Sequence, residues 1–356
     1  MDIVNKFQYL LMNISGFSQI FISCFLLGIA AGITGLFMVL QKKDLLGDTL
    51  AHTTLPGIAT SYILFRQNKL WVIWLGAIFS SLLTLFLIEI IKKYSKIKLD
   101  AILSFVMISF FGLGNVLMSY ILSNNEDSSI ANLEKTILGQ AALMNSNDHL
   151  IVKIITFLTI FTIIIFYKEL KMFTFDSLFS QSIGFNNVFI IFIFNILLIG
   201  VIIISLKVTG IILTSALLIL PGVISRQISD QLFNNIIIIC FISFFVNLSG
   251  VIISILIKNI PTGPVITVIT TFLVFLVFLF GPKQGIVKKY FQQMKYKKKI
   301  RKFRQLIHFY NTKKYYSIDK IDFFLFKKGY LYMECDKILM SQKGSELVEN
   351  LINGKF

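Results

Sequence analysis

Asp48 and His52 stand four residues apart in the stretch Leu46-Gly47-Asp48-Thr49-Leu50-Ala51-His52-Thr53-Thr54-Leu55-Pro56-Gly57. On a helix this spacing puts a carboxylate and an imidazole on one face. The segment they open is apolar, and an ionisable group at membrane depth is costly, so it points to an ion or substrate path. A plainer reading makes Asp48 a helix cap or first-turn acid and His52 a packed polar residue. As ligands, a hard anionic oxygen and a borderline nitrogen suit manganese, iron or zinc better than calcium. Two ligands are too few for a closed, tight site. For passage that is an advantage, because conduction needs binding that releases. His149, beside Asp148, reads as an interfacial polar residue, and His308 has no partner pattern. There is no nucleophile–base arrangement and no Gly-x-x-x-x-Gly-Lys-Ser/Thr phosphate loop. The chain therefore reads as a non-enzyme that hydrolyses no nucleotide itself, and any driving energy must come from another polypeptide.

The elements that hold this pair must be membrane helices. Hydrophobic residues make up 56% of the chain and charged residues only 15%, with a mean hydropathy of +0.79. That composition describes a polytopic, all-α membrane protein. Nine apolar segments are predicted: Ser18–Leu40, Leu50–Phe65, Leu70–Ile91, Ala101–Leu122, Leu150–Tyr167, Val188–Leu206, Ile211–Ile228, Asn234–Ile257 and Pro264–Phe280. Ser18–Leu40 reads as a retained first span and not as a cleaved signal. Pro221-Gly222 is expected to break or interrupt the seventh segment, so eight or nine spans are expected. Gly28 and Gly32 form a Gly-x-x-x-Gly pair suited to close helix packing. Cys24, Cys240 and Cys335 show neither disulfide nor zinc spacing.

Charge orients the bundle. Of the net +16, the segment Val287–Phe356 carries 17 Lys/Arg against 6 Asp/Glu. A basic tail after the last span belongs in the cytoplasm. With nine crossings the N-terminus is then outside, and Lys42-Lys43, the Lys92–Lys98 cluster, Lys168, Lys171 and Arg226 fall inside. The loop Ser123–Asp148, with Glu126, Asp127, Glu134 and Asp148 against Lys135, falls outside.

Five stretches in order carry a resemblance. They are Phe37–Gly57 (FMVLQKKDLLGDTLAHTTLPG), Leu99–Ile102 (LDAI), Phe175–Gly184 (FDSLFSQSIG), Gly210–Arg226 (GIILTSALLILPGVISR) and Asn259–Pro264 (NIPTGP). Together they resemble the signature of the zinc/manganese/iron permease family of ABC importers, over roughly residues 15–282. Gln140, Gly222 and Asn259 depart from its usual residues. The resemblance implies an ATP-driven importer's membrane subunit in a bacterial cytoplasmic membrane. It implies a second permease copy, cytoplasmic ATPase subunits and an extracytoplasmic solute-binding protein. It makes Asp48 and His52 contacts of the transported metal, with no permanently bound cofactor. It makes Phe175, Asp176, Leu178, Phe179, Ile183 and Gly184 an ATPase coupling helix, whose apolar residues fall at offsets 0, 3, 4 and 8. Pro56, Gly57, Pro221, Gly222, Gly263 and Pro264 are its structural or gating positions. A permease for siderophore-, haem- or cobalamin-type cofactors is the alternative within transport.

The chain divides into a permease domain (1–286), a basic juxtamembrane linker (287–302) and a small cytoplasmic α+β domain (303–356). Lys288–Arg304 holds nine basic residues and no acid, interleaved with apolar ones, and reads as a segment held on anionic lipid. Beyond it, helical spacing at Phe303, Leu306, Ile307 and Tyr310 is followed by an expected helix from Ser317 through Phe326. Lys328-Gly329-Tyr330-Leu331, a ribbon and a last helix after Ser341 then follow. This order resembles the winged helix of metal-dependent repressors. A membrane-tethered metal-responsive regulator is the alternative of another class, but the recognition stretch is short and nucleic acid is not an expected partner.

Overall fold

In the computed structural model the described residues are 14–66, 70–124, 146–257, 261–283, 285–312, 325, 327–334 and 337–352. They form two compact units, Met1–Phe278 and Leu279–Phe356.

Apart from the connections, the described residues of the first unit are helical. Its long helices are α1 (Ile14–Leu40), α2 (Asp44–Phe65), α3 (Leu70–Tyr94), α4 (Leu99–Asn124) and α5 (Ser146–Ile165). Two short helices follow, α6 (Tyr167–Phe175) and α7 (Ser177–Ser182). Then come α8 (Asn187–Thr209), α9 (Ile211–Ile228), α10 (Leu232–Leu256) and α11 (Thr262–Phe280), which runs into the second unit. Each of the nine apolar segments is thus a helix. Seven of these helices, α1, α3, α4, α5, α8, α10 and α11, are long and apolar enough to cross a membrane. In α2, Asp44, Asp48, His52 and a run of hydroxyl residues dilute the apolar character.

Helix α1 is the hub and packs against α5, α8, α9 and α10, while α2 lies between α3 and α4 and touches α9. The sequence allows this because small residues sit where backbones meet. A Cβ on Gly35 would overlap the Leu218 carbonyl of α9. Gly57 of α2 and Gly76 of α3 meet backbone to backbone in the same way. Leu27, Leu36, Phe37, Leu50 and Leu218 fill the core between these contacts, all fully buried. The hydroxyls in the spans mostly bond back to carbonyls three or four residues earlier, as Thr34, Thr54 and Thr156 do.

The interruption expected at Pro221 is not there. α9 is one continuous helix with Pro221 inside it. The proline lies against the surface that Gly32 leaves open on α1. Packing against a neighbour is what lets a membrane helix keep an interior proline.

The second unit begins with α12 (Ile286–Lys302) and α13 (Arg304–Thr312). Strands β1 (Leu331–Glu334) and β2 (Lys337–Met340) pair antiparallel, Leu331 opposite Met340 and Glu334 opposite Lys337. Helix α14 (Gln342–Ile352) follows. Ser341 caps it, its Oγ accepting from the Gly344 amide at 3.1 Å. Leu306, Leu325, Leu331 and Val348 make a small separate core. The Tyr310 hydroxyl donates to Glu349 Oε1 at 2.9 Å, and that acceptor raises the phenol's pKa. The order helix, Lys-Gly turn, ribbon, helix is as expected, but a winged helix is not shown. The sheet has two short strands, and most of the expected helix from Ser317 through Phe326 lies outside the described residues, as does Cys335.

Candidate functional site

Helix α2 starts at Asp44, and Lys43 before it makes no side-chain cap. Asp48 therefore lies in the second turn, past the orphan amides, so the cap or first-turn reading of this acid does not hold. At 1.5 Å rise per residue, Asp48 and His52 stand about 6 and 12 Å along the helix from its start. His52 Nε2 lies 3.4 Å from Asp48 Oδ1, with side-chain exposures of 18% for His52 and 28% for Asp48. The pair is thus partly open rather than sealed in the core. The Asp48 carboxylate also takes a side-chain hydrogen bond from Ser215 of α9. Phe111 of α4 sets its ring edge against the imidazole, centroids 4.9 Å apart. The other imidazole nitrogen, Nδ1, is buried with no hydrogen-bond partner. A buried, unsatisfied ring nitrogen costs free energy unless something else takes its lone pair. A transition-metal ion is one such acceptor of electron density. Among the described residues, no third His, Cys, Asp or Glu completes a metal cluster. The other candidates sit elsewhere: His149 beside Ser23, and His308 in the second unit.

Ser215 and Phe111 were not singled out in the sequence. Ser215 lies inside the quoted TSALL stretch, so its position was in view without its role. Nothing in the sequence signals Phe111.

The predicted structural and gating positions are close-packing points. Pro56 is buried inside α2 beside Gly57. Gly222 sits over the Gly35–Leu36 backbone of α1, and a Cβ there would be 3.0 Å from Leu36 Cα. A Cβ on Gly263 would be 2.8 Å from Thr209 Cα, at the α8 end, and Pro264 follows in the first turn of α11.

The stretch Phe175–Gly184 is not a single helix. Asp176 takes an extended conformation, ends α6 and caps α7, its carboxylate accepting from the Leu178 and Phe179 amides at 3.1 and 2.9 Å. Phe175 ends α6, Ile183 follows α7, and Gly184 adopts φ +97° to turn the chain. Phe175, Leu178, Phe179 and Ile183 are all more than half exposed. This knuckle is fastened to α8. Ser180 Oγ donates to Asn187 Oδ1 at 2.9 Å, and Asn187 Nδ2 donates to the Ser177 carbonyl at 2.8 Å. Gln41 Nε2 donates to Thr174 Oγ1 at 3.3 Å, tying the end of α1 to α6.

At the other end of α8, Lys207 Nζ lies 2.5 Å from Asp148 Oδ2 of α5, with Asp148 only 2% exposed. Next to it, Ser23 Oγ and His149 Nδ1 share a hydrogen bond of 2.9 Å. The sequence offered a signal for this ion pair: a lone lysine within an apolar run and an acid at the start of another.

Residues 14–281 match the ABC 3 transport family. The chain belongs to this family. The matched region ends one residue past α11, so the helix pair α12–α13, the ribbon and α14 lie beyond it. The chain is 30% identical to the manganese transport system membrane protein MntC of Bacillus subtilis over 285 residues, which is 80% of this chain and 65% of that protein. It is 31% identical to the zinc transport system membrane protein TroC of Treponema pallidum over 73% of this chain and 87% of that one. The chain thus spans just under two thirds of the Bacillus relative. In three dimensions it is similar to PsaBC from Streptococcus pneumoniae in complex with Fab, with a TM-score of 0.69, 26% identity, and coverage of 81% of this chain and 99% of that one.

Proposed function

We propose that the chain is the membrane subunit of an ATP-driven importer of manganese, zinc or iron ions. It works with separate cytoplasmic ATPase subunits, an extracytoplasmic metal-binding protein and a second permease copy. It sits in a bacterial cytoplasmic membrane with α2 and α9 crossing as well, which gives nine spans and an inward tail. The observation that carries this reading is the Asp48–His52 pair. It offers a carboxylate in a partly open position and, beside it, a buried ring nitrogen with no hydrogen-bond partner. The relatives named for manganese and zinc support the ion class. A second copy supplies what one chain lacks, since two ligands cannot close a coordination sphere. The neighbouring face of α4 supports such a contact: Phe105, Ile108 and Val116 are about two-thirds exposed, and a Cβ on Gly112 would meet nothing within 4 Å.

The reaction is physical transfer, and the residues divide it. Asp48 compensates the ion's charge, and His52 adds a neutral donor that holds it weakly. The α6–α7 knuckle receives movement from the ATPase, and Asn187 passes it into α8, which packs on both α1 and α2. Leu178→Glu is expected to disrupt ATPase docking, because the new charge would be desolvated in an apolar contact. Co-purification of the ATPase with the permease checks this: the variant is expected to lose the ATPase yet keep its own membrane level. Deleting residues 287–356 is expected to leave uptake within a few-fold of the intact chain. A metal-uptake assay on cells expressing that truncation tests it, and complete loss would make the tail part of the transport machinery.

The direct test of the ion pathway is uptake of radioactive manganese or zinc by cells carrying the whole transporter, with and without His52→Ala. Unchanged uptake in the variant would remove His52 from the path.

A further inference from the structure

Helix α12 does not look built for water or for a protein core. Over Ile286–Lys302 its sequence is IVKKYFQQMKYKKKIRK, with no acidic residue. Ile286, Tyr290 and Met294 recur every fourth residue and so share one stripe, with Phe291 beside them. All four are exposed, by 59, 59, 42 and 61%. Lys288, Lys295 and Lys299 fall on the opposite side. Past Met294 the same side continues through Lys297, Lys298 and Arg301, so the helix carries an apolar stripe over its first turns and is basic all round thereafter, which suits the boundary between headgroups and acyl chains.

Covalent geometry keeps it there. Only residues 281–285 separate α12 from the last apolar helix. The Gly285 amide donates to the Gly281 carbonyl at 3.1 Å, which brings the two ends of this connection together. A Cβ on Gly285 would press into that carbonyl, so the close approach requires glycine. The start of α12 thus cannot move far from the end of a membrane span.

We propose that α12 is an interfacial helix that binds the anionic lipid surface of the inner leaflet. Its aromatic and methionine stripe enters the headgroup boundary, and its lysines pair with lipid phosphates. The proposal rests on the inward tail proposed above for its choice of leaflet, and on nothing about metal transport. Charge is the reason for choosing lipid over a protein partner. The segment from Lys288 to Arg304 carries nine positive charges with no acid, and each lysine or arginine near an anionic surface adds to the attraction.

The test is hydrogen exchange of the full-length chain in nanodiscs of phosphatidylcholine alone and of phosphatidylcholine with phosphatidylglycerol. Both disc faces carry the same lipid, so the result does not depend on sidedness or on transport. Peptides covering 286–302 are expected to exchange on the order of tenfold more slowly in the anionic discs. High salt should shrink that difference. The triple change Lys295→Glu, Lys298→Glu, Lys299→Glu should abolish it, with peptides from α1 to α11 unchanged as the folding control. Equal exchange in the two discs would overturn the proposal. So would protection that survives charge reversal, which would mean that α12 docks on protein. Failure of the importer reading would appear only in uptake.

Discussion

Asp48→Ala is expected to lower metal uptake on the order of a hundredfold, while leaving the amount of folded chain in the membrane nearly unchanged. The asymmetry follows from where the carboxylate sits. It is more than a quarter exposed, so its removal opens no large cavity in the core. Its partners, the His52 imidazole and the Ser215 hydroxyl, can turn to one another or to water. What is lost is the only anionic oxygen of the pair, and a divalent ion meeting a low-dielectric path without compensating charge faces a steep barrier. Asp48→Asn should behave almost as badly, because it keeps the shape and loses the charge. His52→Ala should cost less, since a neutral donor can be replaced by water. Initial rates of radioactive manganese or zinc uptake, normalised to membrane content, give the comparison. A variant at position 48 that transports at the native rate would separate the pair from the path.

The second large effect concerns Asp148 and Lys207. Lys207→Met alone is expected to destabilise the bundle by about 3–5 kcal/mol, because Asp148 would be left charged and buried. Asp148→Leu alone strands the lysine in the same way, although Lys207 at 19% exposure has more recourse to solvent. Making both changes together should recover most of the loss, since two apolar side chains replace two compensated charges, with the larger leucine at position 148 taking back part of the gain. Thermal unfolding of the three variants in detergent, followed by the tryptophans Trp71 and Trp74, measures this as a double-mutant cycle. If the double variant is as unstable as the worse single one, the pair does more than hold α5 to α8.

The helices were readable because long apolar runs leave little choice of structure in a membrane. All nine predicted segments are helices. The Asp48–His52 pairing followed from the four-residue spacing alone, but its neighbours did not. Ser215 and Phe111 reach it from helices far away in sequence, and only packing brings them there. Pro221 misled because proline's local penalty says nothing of the α1 surface that accommodates it. Phe175–Ile183 misled in the other direction. Its apolar spacing fits one helix, yet Asp176 is a better cap than an interior residue, so the helix restarts there. The Asp148–Lys207 pair was visible only as two isolated charges, whose meeting depends on how α5 and α8 align.

On the reading proposed above, this chain carries divalent transition metal into the cell. The most direct measurement is elemental mass spectrometry of metal-starved cells expressing the chain together with its ATPase and metal-binding protein. The expected result is a selective rise in manganese, zinc or iron that vanishes when the chain is omitted. No rise in any metal, with the assembled complex recovered intact from the same cells, would contradict it and favour a larger chelated cargo.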